Sequence, residues 1–315
     1  MLENKARFKE TQSRIPLARV VNYEPKMVDR HIVNEIKPFI FSNNLQNWPA
    51  LKLWTPMFFK QNYGDLEFNV NPNLPSETAP YLFNAKPHHK LMKLSELIDL
   101  MSKNNSCYLA QEDMQAFKDL KEHYNFTELV PSHIQGKNIL TNIWIGSNTR
   151  SGLHFDNVDN FLAQIYGTKN VILISPNDIS FVYPIPSNFH KSPINPFEPD
   201  IKAFPNFKKA KIFEGVLNPG DVLFIPRGWY HYIYSPQQSI SLNCWYGSPL
   251  TSKDFLLAFY RSGWKSWVTC LKDFIWHGIL FRSFEDKLYS GAPLGKVMYD
   301  FIKMKIRRLF CGDTM

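Results

Sequence analysis

A chain of 315 residues, 44% hydrophobic and 20% charged, is long enough to bury a sizeable core. Its 25 Phe, 14 Tyr and 8 Trp exclude disorder and low complexity. The net charge of +8 suits an acidic partner, nucleic acid or an anionic surface. The excess is spread over Lys202, Lys208, Lys209 and Lys211 and over the stretch from Lys296 to Arg308, so a solvated basic face is the first reading.

The first dozen residues, MLENKARFKETQ, are polar and lack the apolar stretch of a secretory signal, so none is expected. Residues 26–46 read as mixed helix and strand leading to the turn Asn47-Trp48-Pro49. The stretch 55–63, with Met57, Phe58, Phe59 and Tyr63, reads as helix. Apolar residues at helical spacing predict an amphipathic helix over 91–103. The texture then changes to short aromatic and β-branched runs bounded by turn residues, at 107–111, 139–146, 161–167, 170–175, 222–226, 230–235 and 239–247. Asn218-Pro219-Gly220-Asp221 is a turn just before the fifth of these. Strands of this length and spacing predict a mainly β fold with flanking helices, a double-sheet jelly roll.

From Thr251 the helical spacing returns, with Trp264, Trp267, Leu271 and Phe274 along a stripe interrupted by Gly263, and a second helix is predicted over 294–309. Such a stripe can lie on a membrane surface; packing on its own domain or on a second subunit is the expectation preferred here. No run of about 18 uncharged apolar residues occurs, so no spanning helix is expected. The four cysteines, Cys107, Cys244, Cys270 and Cys311, form no CxxC pair. That excludes a zinc ribbon, gives no disulfide framework and points to a reducing compartment, with a cytoplasmic location expected.

The sharpest chemical signal is Ser151-Gly152-Leu153-His154-Phe155-Asp156. On an extended segment residues i and i+2 face the same way, so His154 and Asp156 present an imidazole and a carboxylate together. His231 lies downstream in a second strand context, within GDVLFIPRGWYHYIYS. Two histidines and one carboxylate on one side of a metal leave its other positions open, the arrangement of non-haem Fe(II) oxygenases. One HxD among nine histidines is unremarkable, and His88, His89, His190 and His277 read as ordinary structural histidines.

The run SGLHFDNVDNFLAQIYGTKNVILISPND, followed by YPIP, FPNF, NPGDVLFIPRGWYHYI and SLNCWYG, resembles the JmjC/cupin-8 oxygenases. Within that group it looks most like the asparaginyl hydroxylase that inhibits hypoxia-inducible factor. The clear resemblance covers about 105–250, and the upstream NWPALKLWTPMFFKQNYGD is similar to the entry region of the same family. It implies a double-stranded β-helix that binds Fe(II) and takes 2-oxoglutarate and O2, with His154, Asp156 and His231 as iron ligands. It further implies that Lys169 pairs with the distal carboxylate of 2-oxoglutarate, helped by the hydroxyls of Tyr108 and of Ser151, which stands in place of a threonine. Asn160 and Asn243 match asparagines near the iron-proximal end of the co-substrate, and Trp245 is expected to line the pocket. The expected organisation is an oxygenase domain over 1–250, with α/β support to about 105 and the jelly-roll core over 106–250, then a helical region over 251–315.

Substrate recognition departs from the resemblance. Between YPIP and FPNF the chain carries SNFHKSPINPFEPDIKA, and His190 and Lys191 fall about where the asparaginyl hydroxylase has an arginine and a glutamine that contact its target. The preferred expectation is hydroxylation of a side chain in a protein or peptide. The alternatives are the same chemistry on an RNA nucleoside or small molecule, and a jelly-roll interaction module without turnover. The 251–315 region falls where family members carry a dimerisation element, so a homodimer through the C-terminal helices is expected, and stable membrane insertion is not.

Overall fold

The computed structural model describes residues 13–33, 35–74, 89–136, 139–186, 188–284 and 292–311. The first dozen residues and His88 lie outside these. In chain order the strands are β1 (Arg14–Pro16), β2 (Ala18–Val20), β3 (Phe39–Phe41), β4 (Glu67–Val70), β5 (Lys90–Lys93), β6 (Cys107–Asp113), β7 (Leu140–Ser147), β8 (Thr149–Arg150) and β9 (Leu153–His154). They continue as β10 (Asp159–Tyr166), β11 (Lys169–Ile174), β12 (Lys191–Ser192), β13 (Ile212–Leu217), β14 (Val222–Ile225), β15 (Tyr230–Ser235) and β16 (Ser239–Tyr246). The α-helices are α1 (Pro49–Leu53), α2 (Pro56–Tyr63), α3 (Leu94–Ser102), α4 (Ser252–Arg261), α5 (Trp264–Asp273) and α6 (Leu294–Cys311).

One seven-stranded sheet runs β1-β13-β11-β15-β9-β12, with β8 beside β15, and a second runs β2-β3-β14-β10-β16-β7-β6. Leu162, Leu223 and Ile225 of the second sheet share a buried cluster with Val171, Leu173 and Leu217 of the first, so the two sheets face each other as a jelly roll. The remaining pair, β4 and β5, forms a two-stranded sheet of its own, and Asn71 just after β4 bridges antiparallel to Tyr108 of β6.

Alternation along each strand decides what faces the barrel interior. The outward set of the second sheet, including Ile143, Ile145, Phe161, Ala163, Leu242 and Cys244, packs in one large core with Trp54, just after α1, and with Phe59, Leu97 and Met101 of α2 and α3. The outward set of the first sheet, Ile172, Ile174, Tyr230 and Tyr232, packs with Phe189 and Phe207, and Phe255 and Phe259 of α4 lie against them. Both faces of these strands are therefore buried, and the polar members Asn142, Asn160, Lys169, His231 and Asn243 alternate with those outward residues.

Local chemistry fixes the flanking helices. The Thr55 hydroxyl accepts from the Phe58 amide at 3.1 Å with Pro56 in the first turn, and Thr251 caps α4 by accepting from the Asp254 amide at 3.1 Å. The helix expected over 91–103 begins only at Leu94. Residues 90–93 instead pair antiparallel with β4, and Glu96 accepts the Lys93 amide at 2.9 Å, which stops the helix from extending backwards. At Gly263, φ is 92°, a conformation that separates α4 from α5. Among the described residues no helix is long and apolar enough to cross a membrane.

Candidate metal centre

His154 ends β9 and pairs in register with His231 of β15, bringing the two rings to 4.3 Å between centroids. Asp156, two residues beyond His154, reaches both: its Oδ1 lies 3.9 Å from His154 Nε2 and its Oδ2 3.8 Å from His231 Nε2. All three ligand atoms lie within 4.8 Å of one another. Each imidazole has Nδ1 beside a backbone carbonyl, His154 with Gly152 O at 2.8 Å and His231 with Trp229 O at 3.1 Å. Donating Nδ1–H there leaves each Nε2 lone pair turned to the carboxylate, the tautomer a metal ligand needs. Burial holds the His231 imidazole down to about 4, His154 acts in the same direction, and Asp156 opposes both.

A chain of amide and indole donors surrounds Asp156. Trp245 Nε1 donates to Asp156 Oδ2 at 2.9 Å, and Asn160 Nδ2 lies 3.4 Å from the same oxygen. The Asn160 carbonyl accepts from Asn243 Nδ2 at 3.1 Å. Asn243 Oδ1 in turn accepts from Trp144 Nε1 at 2.7 Å and from Asn142 Nδ2 at 3.3 Å. The register explains the convergence, because Asn160 pairs with Trp245 and Asn243 with Asn142 across β10, β16 and β7. Asn142 and Trp144 were not singled out from the sequence. The available signal was a polar residue and an indole at alternate positions of an otherwise apolar strand.

Lys169 opens β11 opposite Leu217 and is 2% exposed. Among the described residues its amine has no hydrogen bond or ion pair, and burial lowers it to about 7. A buried amine without a counter-charge costs free energy unless an anion meets it. Ser151 sits opposite Ile233, its amide donating to Ile233 O at 2.9 Å and its Oγ accepting from Ile233 N at 2.9 Å, which leaves the hydroxyl proton to donate elsewhere. Tyr108, on β6, lies against Trp144 with ring centroids 5.8 Å apart. It passes over Gly146, where a Cβ would stand 2.7 Å from Tyr108 Cδ2 and 2.5 Å from Cys107 O. Glycine is required there by close approach.

Lys191 and His190, which fall at the substrate-contact positions of the resemblance, stand beside the triad. Lys191 of β12 pairs with His154 across the sheet, and burial lowers its amine to about 8. His190 packs on Phe155 and Phe189 at 4.5 and 4.8 Å between centroids. Burial lowers it to about 4, with Asp156 raising it and His154 lowering it, so it feels the charge of the triad. His89 and His277 have local partners instead, the Asn71 amide at 3.0 Å and Arg282 O at 2.9 Å.

Residues 25–252 match the family model of the cupin-like domain. The chain is 31% identical over 226 residues to lysine-specific demethylase 8 of Xenopus tropicalis, covering 69% of this chain and 49% of that protein. It is 29% identical over 225 residues to tRNA wybutosine-synthesizing protein 5 of Danio rerio, covering 65% and 68%. To HSPB1-associated protein 1 of Homo sapiens it is 26% identical over 246 residues, covering 71% and 50%. The chain thus spans about half the length of the first and third of these relatives.

Proposed function

The chain belongs to the cupin-like domain family, and on that premise we propose that it is an Fe(II)- and 2-oxoglutarate-dependent oxygenase that hydroxylates a side chain of a protein substrate. The observation that supports this best is the placement of two Nε2 atoms and one carboxylate together in a barrel that also holds the unpaired amine of Lys169. The donor set suits iron, since two imidazoles with Nδ1 committed to backbone carbonyls and one carboxylate make up a facial triad. When bound, iron with 2-oxoglutarate and O2 supplies the oxidation, converting a C–H bond to C–OH while 2-oxoglutarate becomes succinate and CO2.

The protein's own part is ligation, orientation and exclusion of water. His154, Asp156 and His231 would hold the metal, and the contacts of Trp245 and Asn160 with Asp156 Oδ2 fix the carboxylate between the two Nε2 atoms. Lys169 meets the distal carboxylate of 2-oxoglutarate, which turns an uncompensated buried ammonium into an ion pair. The Tyr108 and Ser151 hydroxyls complete that end. Asn160 and Asn243, oriented by Trp144 and Asn142, line the iron-proximal end.

The oxygenase unit is assigned to 1–250 and self-association to the helices of 251–315, where Trp264, Leu271 and Phe281 are exposed. The likeness to the asparaginyl hydroxylase does not carry asparagine specificity, because His190 and Lys191 replace its contact residues. A relative named for tRNA modification makes RNA the second reading, which the net charge of +8 also suits.

The test is succinate release from 2-oxoglutarate by the Fe(II)-loaded protein, alone and then with protein or RNA fractions of a cell lysate. Turnover that rises with the protein fraction and vanishes in Asp156→Ala is expected. A rise with RNA alone transfers the substrate to the second reading. Turnover retained in Asp156→Ala refutes the ligand assignment, and failure to bind iron and 2-oxoglutarate leaves an interaction module.

A further inference from the structure

We propose that Asp29, His31 and His133 form a second divalent-metal site, of the zinc type, that clamps the N-terminal segment to the loop before β7. The three side chains come from two separate stretches of chain, and their ligand atoms lie within 4.8 Å of one another. Asp29 Oδ2 is 3.4 Å from His133 Nδ1, and the His31 and His133 rings are 4.9 Å apart between centroids. Four ligands at about 2.1 Å around zinc stand roughly 3.4 Å apart. The Asp29–His133 contact already has that spacing, and rotation of exposed imidazole rings brings in the third ligand.

Asp29 is the anchor. Its side chain is only 12% exposed, and among the described residues no lysine or arginine pairs with it. Its Oδ1 accepts the His31 amide at 2.9 Å, while its backbone carbonyl accepts from Ile32 and Val33 at 3.0 and 2.8 Å. The other side is pinned too, by the Ile134 amide on Pro131 O at 2.9 Å and by the Tyr23 hydroxyl on Leu129 O. Two imidazole nitrogens and one carboxylate oxygen select a zinc-type ion over calcium or magnesium, which take six or more oxygens, and water completes the fourth position.

The clamp acts on the rim of the barrel. Arg30, next to Asp29, holds Asp159 with both guanidinium contacts, at 2.8 and 2.6 Å, and Asp159 also accepts the Arg227 amide at 2.9 Å. Asp159 opens β10, the strand that carries Asn160. Metal at this site therefore stiffens the segment that seats the start of β10, with no part in the oxidation itself.

The full-length apoprotein is titrated with Zn(II) by equilibrium dialysis with metal analysis. The wild type is expected to bind two equivalents, His133→Gln one, His154→Ala/Asp156→Ala one, and the combined variant none. Zn(II) is expected to raise the melting temperature of His154→Ala/Asp156→Ala and not that of the combined variant. Because the His133 ring is exposed, its conservative replacement leaves the fold intact, checked by circular dichroism. A single wild-type equivalent that disappears with His133→Gln and persists in His154→Ala/Asp156→Ala supports this site and sinks the triad instead. Zinc binding by His154→Ala/Asp156→Ala that is absent, or unaffected by His133→Gln, overturns the proposal.

Discussion

Replacing Lys169 by Met keeps the side chain's bulk and removes its charge, which isolates the cost of burying an amine without a partner. Burial lowers that amine from 10.5 to about 7. At roughly 1.4 kcal/mol per tenfold change in proton affinity this sets a ceiling of about 5 kcal/mol. Between pH 7 and 10.5 the unfolded chain binds a proton that the folded protein does not, so this group makes stability rise with pH across that window. Below pH 7 the amine is charged in both states, and the whole cost remains. Without 2-oxoglutarate, Lys169→Met is therefore expected to be more stable than the wild type in urea denaturation at pH 6. That advantage should shrink by roughly 2.5 kcal/mol at pH 9, where much of the wild-type amine is already neutral when folded. Added 2-oxoglutarate should raise the melting temperature of the wild type and not that of the variant. A variant less stable than the wild type by the same margin at both pH values, or one that 2-oxoglutarate still stabilises, would refute both the buried-charge account and the role given to Lys169.

Trp245→Phe keeps an aromatic side chain and removes the N–H that fixes Asp156 Oδ2 at 2.9 Å. Iron affinity is expected to fall roughly 10–100-fold, the scale typical of lost outer hydrogen bonds to a ligand, and unchanged affinity in a chelator competition would remove Trp245 from the site. The exposed Trp264, Leu271 and Phe281 predict a homodimer in light scattering at micromolar concentration, and Leu271→Lys should shift it to monomer. A monomer mass for the wild type would mean that the helical face meets a different surface.

Much of the second sheet was legible in advance. Runs such as FLAQIYG and SLNCWYG have the length and aromatic content of strands, and the turn at 218–221 marks the start of β14 with little ambiguity. The strand β13 was not, because Ile212–Leu217 contains Glu214 and Gly215 and shows neither a continuous apolar run nor strict alternation. The pair β4 and β5 was missed for a different reason. Leu91 and Met92 continue the apolar spacing of α3, and only pairing with Glu67–Val70 and the Glu96 cap separate strand from helix.

The candidate site divides along the same line. The sequence by itself determined the local pairs, since His154 and Asp156 sit two residues apart on extended backbone, and period-two alternation put Asn243 and Trp245 on one face of their strand. It also determined through the length of its motifs that the chain resembles one family. Only the tertiary structure decided which face of each strand looks inward. Both faces are buried, so hydrophobicity does not mark the barrel interior, and it took the helices packing on Ile143, Phe161 and Cys244 to turn Asn142, Asn160 and Asn243 toward Asp156. The register of β9 against β15, which sets His231 beside His154, and of β12 against β9, which sets Lys191 there too, is a long-range pairing. Such pairings are chosen by the closure of the whole sheet, and no window of neighbouring residues encodes them.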